Sequence, residues 1–175
     1  FGTLGTVMKI FDMPDKSKSA IVQGIMRVKI EQINQNSPYF SGLVSRTKDS
    51  NIAHVEINAH TKLLRSSFDS VVQVAPYLNE EQKNALNNIN NPSKVADKAI
   101  SLLNVKTKEK QEILETTDVL DRLKKVNDVI SKELQRIELG EKIQSEVQDE
   151  ISKSQKEYYL NEQLKAIQKE LGEEG

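Results

Sequence analysis

The sequence KSQKEYYLNEQLKAIQKELG, residues 153–172, decides how the carboxy-terminal part of the chain folds. It contains no proline and no internal glycine, and it is rich in residues with high helix propensity. Leu160, Leu164, Ile167 and Leu171 follow one another at steps of four, three and four residues, which places them in one narrow apolar seam of a helix. The pattern predicts a helix that needs a partner to cover this seam.

Upstream of this stretch, the apolar positions become sparse. After Gly140, the segment Glu141–Leu171 predicts one helix, on the order of 45 Å long at about 1.5 Å per residue. Its first half carries isolated apolar side chains at Ile143, Val147 and Ile151. A helix with so thin a stripe is expected to project from its own domain, so we assign residues 140–175 as a long helix or linker.

The middle of the chain, residues 51–139, predicts a helical bundle. Asn79 and the pair Asn91-Pro92 have the chemistry of helix starts. From Leu120 to Ile137 apolar residues recur every three or four positions, as in a helix that faces a core. In the same helix, however, the basic cluster Arg122-Lys124-Lys125 is interleaved with acidic residues, and this favours a solvated face.

One part of this middle region is ambiguous. Ala53, Val55 and Ile57 alternate as in a strand, whereas apolar residues from Leu64 to Ala75 step by four, three and four as in a helix. The longer pattern favours one helix over Ile52–Ala75.

The first part of the chain, residues 1–50, predicts an antiparallel β segment. Three runs favour strands, Gly2–Asp12, Ala20–Glu31 and Tyr39–Arg46, with turn residues between them. The first is expected to be buried on both faces and the second on one face. Three short strands rarely form a stable sheet alone, so we expect further strands before Phe1 and a fragment of a larger protein. The fold class is therefore α+β.

Composition narrows the possible classes of protein. The 175 residues include 25 basic and 26 acidic side chains, a balance that gives no electrostatic support for nucleic acid binding. The absence of cysteine excludes disulfides and thiolate metal sites and fits the cytoplasm. No apolar run approaches the roughly 20 residues of a membrane-spanning helix, so no membrane partner is expected.

Four segments, spread over the chain, carry a resemblance to a known family: GTVMKI (5–10), IVQGIMRVKI (21–30), NVKTKEKQEILETTDVLDRL (104–123) and KSQKEYYLNEQLKAIQKELGE (153–173). They resemble the amino-terminal region of Lon-family ATP-dependent serine proteases. The resemblance implies the second half of a small pseudo-barrel β domain, a helical part and a long helix that leads to an ATPase domain.

The resemblance also implies a function. The chain would be the substrate-recognition and assembly region of a hexameric cytoplasmic protease that degrades misfolded and regulatory proteins. Its partners would be unfolded or damaged proteins and other copies of itself. The Ser-Lys dyad, ATP and Mg²⁺ would belong to domains outside this chain, for which we expect no catalytic residue, cofactor or metal.

Two sets of residues are candidates for contacts with partners. Tyr158 and Tyr159, together with the Leu160 seam, could anchor a partner, although the tyrosines could equally pack on another helix of the same chain. Four residues of the β segment could form an adaptable apolar patch for unfolded polypeptide, or else belong to a core. These four are Met8, Phe11, Met13 and Met26.

Two other classes of function stay open. One is a stand-alone binding module that reuses the β domain without a protease. The other is a structural scaffold in which the long helix pairs with its own copy.

Overall fold

A computed structural model describes residues 1–50 and 55–172 of the chain. These residues form a three-stranded sheet followed by five helices, which confirms the α+β class. The chain divides into two compact units, Phe1–Glu133 and Leu134–Gly175. The division into segments 1–50, 51–139 and 140–175 stays a prediction.

The three strands form one antiparallel sheet in the order of the sequence. Strand β1 is Gly2–Asp12, β2 is Lys18–Gln35 and β3 is Ser41–Arg46, with β2 in the centre. The β1–β2 turn is closed by Asp15, whose Oδ1 accepts hydrogen bonds from the backbone N–H and the hydroxyl of Ser17. This is the turn chemistry expected from the sequence.

The burial expected for the strands is largely wrong. Residues 3–25 are all exposed, and Val28 is the one buried apolar residue of β2. Alternation predicts which side chains share a face, but burial also requires a second layer on that face. Among the described residues, no such layer covers most of the sheet.

Gly42 has a specific reason to be glycine. A Cβ atom at this position would lie 2.3 Å from the carbonyl oxygen of Gln32, at an irregularity where β3 pairs with β2. The two backbones approach so closely here that a side chain would not fit between them.

Helices α1 to α4 pack in pairs: α1 with α2 and α3, α2 with α3, and α3 with α4. They are α1 Val55–Val74, α2 Glu80–Asn87, α3 Pro92–Leu102 and α4 Thr107–Glu115. The predicted helix over Ile52–Ala75 is confirmed from Val55 onward, so Val55 and Ile57 are helical. Ala53 lies outside the described residues.

The predicted starts of α2 and α3 are confirmed. The Asn79 side chain accepts from the N–H of Gln82, whose side chain accepts from the N–H of Asn79 in return. The Asn91 side chain accepts from the N–H of Lys94, next to Pro92 at the first turn. These contacts satisfy amide groups that a helix start leaves unpaired.

Helix α5 is a single helix, Val119–Glu170. The predicted interruption at Gly140 is wrong. One glycine inside a helix costs about 1 kcal/mol relative to alanine, and the strong helix formers on both sides outweigh that cost. In the first unit, α5 buries Leu123, Val126 and Ile130 of the predicted stripe. Its first member, Leu120, is half-buried, and Val119, which the stripe did not include, is buried.

The core of the first unit lies between the helices. Leu64, Phe68 and Val71 of α1 are fully buried, as are Val95 and Ala96 of α3. The first turns of α5 complete this core, and they bring one charged side chain into it.

Candidate functional site

Arg122 of α5 is that charged side chain, and it is completely buried. Its Nε donates to the carbonyl oxygen of Thr116 at 2.7 Å. Its Nη1 donates to the hydroxyl of Ser93 at 2.7 Å, and its Nη2 donates to Oδ1 of Asp49 at 2.6 Å. A fully buried guanidinium is stable only with such partners, because its charge has lost its water.

Four further side chains surround Arg122, and we call the five together the arginine cluster: Arg27, Asp49, Ser93, Asp97 and Arg122. Arg27, on β2, donates from Nη1 to Asp49 at 3.2 Å and from Nη2 to Asp97 at 2.8 Å. Ser93 donates to the second oxygen of Asp49 at 2.5 Å. The cluster therefore joins β2, the segment after β3, α3 and α5 through charge-assisted hydrogen bonds.

The two carboxylates of the cluster differ electrostatically. Burial alone would raise the pKa of Asp49. Hydrogen bonds from Ser93 and Arg122 and the charges of Arg122 and Arg27 more than offset this effect, so the pKa of Asp49 lies below the ordinary value. Burial dominates at Asp97 and raises its pKa, although the charges of Arg122 and Arg27 oppose the effect.

The sequence interpretation of Arg122 as part of a solvated face is wrong. Interleaved acids indicated a surface, but Arg122 lies three residues after Val119 and next to Leu123, within the apolar stripe of α5. That position was the available signal. Its partners, Asp49 and Ser93, lie far away in sequence, so spacing alone could not identify them.

The predicted apolar patch of the β segment is only partly brought together. Met8, Phe11 and Met13 lie within six residues at the turn end of β1, and all three are exposed. Lys9 stands over the Phe11 ring at 4.9 Å. Met26 is half-buried beside Leu4, about 13 Å from Met8 at roughly 3.3 Å per residue.

The sequence interpretation missed two other exposed aromatic residues. Tyr39 and Phe40 lie between β2 and β3 and expose 66% and 78% of their surface. Two adjacent aromatic residues after Pro38, within a polar loop, were the available signal. They add exposed aromatic surface to the exposed apolar side chains of the strands.

The second unit carries the predicted anchor residues on α5. Tyr158 and Tyr159 are exposed, as are Leu160, Leu164, Ile167 and Leu171. The hydroxyl of Tyr159 accepts from Nε2 of Gln163 at 3.0 Å. The role of these residues in binding a partner stays a prediction.

A second apolar stripe precedes the seam, on a different face of α5. It consists of Leu139, Ile143, Val147 and Ile151, each four residues after the last and each exposed. At about 100° per residue, its centre lies roughly 110° from the centre of the Leu160 seam. The two stripes therefore do not form one continuous contact face.

The described ranges contain no candidate metal site and no candidate membrane span. Within residues 1–50 and 55–172, no group of three or more His, Asp or Glu side chains is arranged to hold a metal ion. No helix described in these ranges is long and apolar enough to cross a membrane.

Asp49 and Asp97 give a test of the electrostatics of the cluster. Asp49 has a lowered pKa, so the stability that its charge contributes is present at neutral pH and is lost as the pH falls below about 3.8. The destabilisation caused by Asp49→Asn should therefore shrink on acidification.

Asp97 has a raised pKa, so the folded chain favours its protonated form. The stability that this preference adds is fully present below about 3.8 and is lost as the pH rises. The destabilisation caused by Asp97→Asn should therefore grow on acidification.

Urea unfolding of both variants and of the original chain between pH 3 and pH 7 measures these slopes. Slopes of the same sign for the two variants would contradict the assignment.

The comparisons with known proteins agree on one family. Residues 1–132 match the family model described as the ATP-dependent protease La (LON) substrate-binding domain. The chain is 42% identical over 175 residues to the Lon protease of Koribacter versatilis and 40% identical over 172 residues to that of Dictyoglomus thermophilum. These alignments cover 99% and 98% of this chain but 22% of each relative, so the chain spans about a fifth of their length.

A solved structure shows the same fold. The N-terminal domain of a Lon protease from the Mycobacterium avium complex superposes with a TM-score of 0.61 at 21% identity, covering 74% of this chain and 69% of that one. At this identity the likeness concerns the fold alone.

Proposed function

Because the chain belongs to the Lon protease family and matches its substrate-binding domain, we propose that it recognises protein substrates for an ATP-dependent serine protease and helps that protease assemble. The observation that carries the proposal is the match of residues 1–132 to the substrate-binding family. Unfolded or damaged proteins are the substrate class, since their exposed apolar segments complement an exposed apolar surface.

The sheet of the first unit supports this choice of substrate. The side chains Met8, Phe11 and Met13 are exposed within six residues of sequence, and methionine adapts its shape to irregular apolar partners. Tyr39 and Phe40 add exposed aromatic surface in the loop between β2 and β3. Exposed apolar surface of this kind needs a covering layer or a partner. Unfolded substrate is the partner that we propose, and the further strands expected before Phe1 are the alternative.

The remaining chemistry of the protease is placed outside this chain. Hydrolysis by a Ser-Lys dyad and the use of ATP with Mg²⁺ would be carried by the part of the protein that this chain does not span. Here the chain would supply binding and position, in the cytoplasm. Helix α5 would connect the substrate-binding part to the ATPase ring.

Assembly is proposed for the second unit. Leu160, Leu164, Ile167 and Leu171 are exposed on α5 at steps of four, three and four residues, the spacing of two helices that pack side by side. Tyr158 and Tyr159 precede this seam and are exposed as well. A second copy of the chain, and a hexamer in the whole protein, would cover them.

Substrate recognition can be tested with the double variant Met8→Ser and Phe11→Ser. We expect about tenfold weaker binding to a fluorescently labelled, permanently unfolded protein, such as reduced and carboxymethylated lactalbumin, because two apolar contacts are lost. Fluorescence anisotropy gives the dissociation constant.

The matched control is Val55→Ser, which removes an apolar side chain that is exposed outside the sheet. It should leave binding unchanged. Equal affinity of the double variant and the original chain would contradict a substrate role for this patch.

Self-association can be tested by sedimentation equilibrium. We expect the mass of the original chain to rise with concentration and that of the double variant Leu160→Asp and Leu164→Asp to stay monomeric, because a carboxylate cannot be buried unpaired in the seam. The control Ala166→Asp introduces the same charge about 120° from Leu160. A chain that is monomeric at every concentration would contradict the proposal.

A further inference from the structure

The sheet meets the rest of the first unit at one end. Phe1 and Gly2 are half-buried, as are Met26 and Arg27, and Val28 is buried, whereas residues 3–25 are exposed. The buried positions are neighbours in the sheet, since Gly2 pairs with Val28. The sheet is therefore held near this end and extends away from it without a covering layer in the described part of the chain.

Three members of the arginine cluster lie in the helical part of this unit, which we call the helical body and define as α1 to α4 with residues 119–133 of α5. Ser93 and Asp97 are on α3, and Arg122 is on α5. Asp49 is held against α5 because the next residue, Ser50, pairs with Asp118. The N–H of Ser50 donates to the carbonyl oxygen of Thr117, and its own carbonyl oxygen accepts from the N–H of Val119.

Arg27 is the member of the cluster that comes from a strand. Its side chain exposes 8% of its surface and reaches both Asp49 and Asp97 with its two terminal nitrogens. A guanidinium binds two carboxylates in a fixed geometry that lysine cannot reproduce. A weaker contact joins the same end of the sheet to α4, where Nε2 of Gln111 donates to the carbonyl oxygen of Phe1 at 3.2 Å.

Loss of Arg27 would leave the helical body with its charges still paired. Arg122 donates to Asp49 at 2.6 Å and lies 3.4 Å from Asp97, so both carboxylates keep a cationic partner. Ser93 also continues to donate to Asp49. Among the described residues, Val28 is the one strand residue in the buried apolar set, so the core of the helical body is built from helical and loop residues apart from this contact.

We infer that Arg27 is a latch: it fixes the orientation of the sheet on the helical body, and its removal lets the sheet move as a unit while the helices stay folded. Charge-assisted hydrogen bonds at one end of the sheet form the latch, beside a small apolar contact in which Val28 is the one buried strand residue among those described. Such an arrangement allows two bodies to change their relative angle at the cost of a few polar contacts. It would let the apolar sheet reorient as a substrate-binding surface, a role that rests on the proposed function, whereas the latch itself does not.

The test measures a distance between the two bodies. The chain has no cysteine, so spin labels can be placed at Ser19→Cys on the exposed turn end of the sheet and at Ala85→Cys on α2. Double electron–electron resonance then gives the distance distribution in the labelled chain and in the same chain with Arg27→Gln. We expect Arg27→Gln to broaden the distribution at least roughly twofold, because the sheet samples several orientations.

The matched control is Lys29→Gln on the same strand. Lys29 forms an exposed ion pair with Glu31 of its own strand and does not reach the arginine cluster. It should leave the distribution as narrow as in the labelled parent chain. An unchanged width in Arg27→Gln, or equal broadening in both variants, would overturn the inference.

Hydrogen exchange of the same variants separates a latch from a shared core. The amides of α1 and α3 should keep their protection in Arg27→Gln. If their protection fell together with that of the strands, sheet and helices would be one cooperative body, and the latch would be refuted. Binding of unfolded protein is not used in this experiment, so its result is independent of the proposed function.

Discussion

The buried guanidinium of Arg122 is the interaction on which the first unit depends. A charge without water must be paired on all sides. Here its partners come from the segment after β3, the first turn of α3 and the residue that follows α4. Asp49, Ser93 and the carbonyl oxygen of Thr116 are therefore fixed in space by one side chain. Such polar clusters specify one arrangement of the elements, because any other arrangement would leave buried groups unpaired.

This dependence explains which parts of the fold could be predicted from the sequence. Local chemistry was sufficient for the helix starts at Asn79 and Asn91 and for the core positions Leu123, Val126 and Ile130. Contacts between distant segments could not be predicted. Arg122 was therefore judged only by its acidic neighbours in sequence and was assigned to a solvated face. Helix length was also misjudged at Gly140, because propensity sums over many residues and one unfavourable residue does not end a long helix.

The surfaces of the two units lead to different expectations. In the first unit, the alternation of β1 and β2 led to the expectation of buried faces. Burial depends on whether another layer is present, which a strand pattern does not encode. In the second, the exposed Leu160 seam and the stripe through Ile143 occupy different faces of α5. Two contact faces on one helix fit an element that links separate partners better than a helix that belongs to one core.

The most direct test of the central claim is the unfolding free energy of Arg122→Lys, measured in urea at neutral pH. Lysine keeps the charge but cannot donate in the same geometry to Thr116, Ser93 and Asp49, so we expect a loss of about 3–5 kcal/mol. Lys124→Gln, which removes an exposed ion pair with Glu56 on the same helix, should cost less than about 1 kcal/mol. If Arg122→Lys cost no more than this control, the cluster would not be the interaction that holds the first unit together.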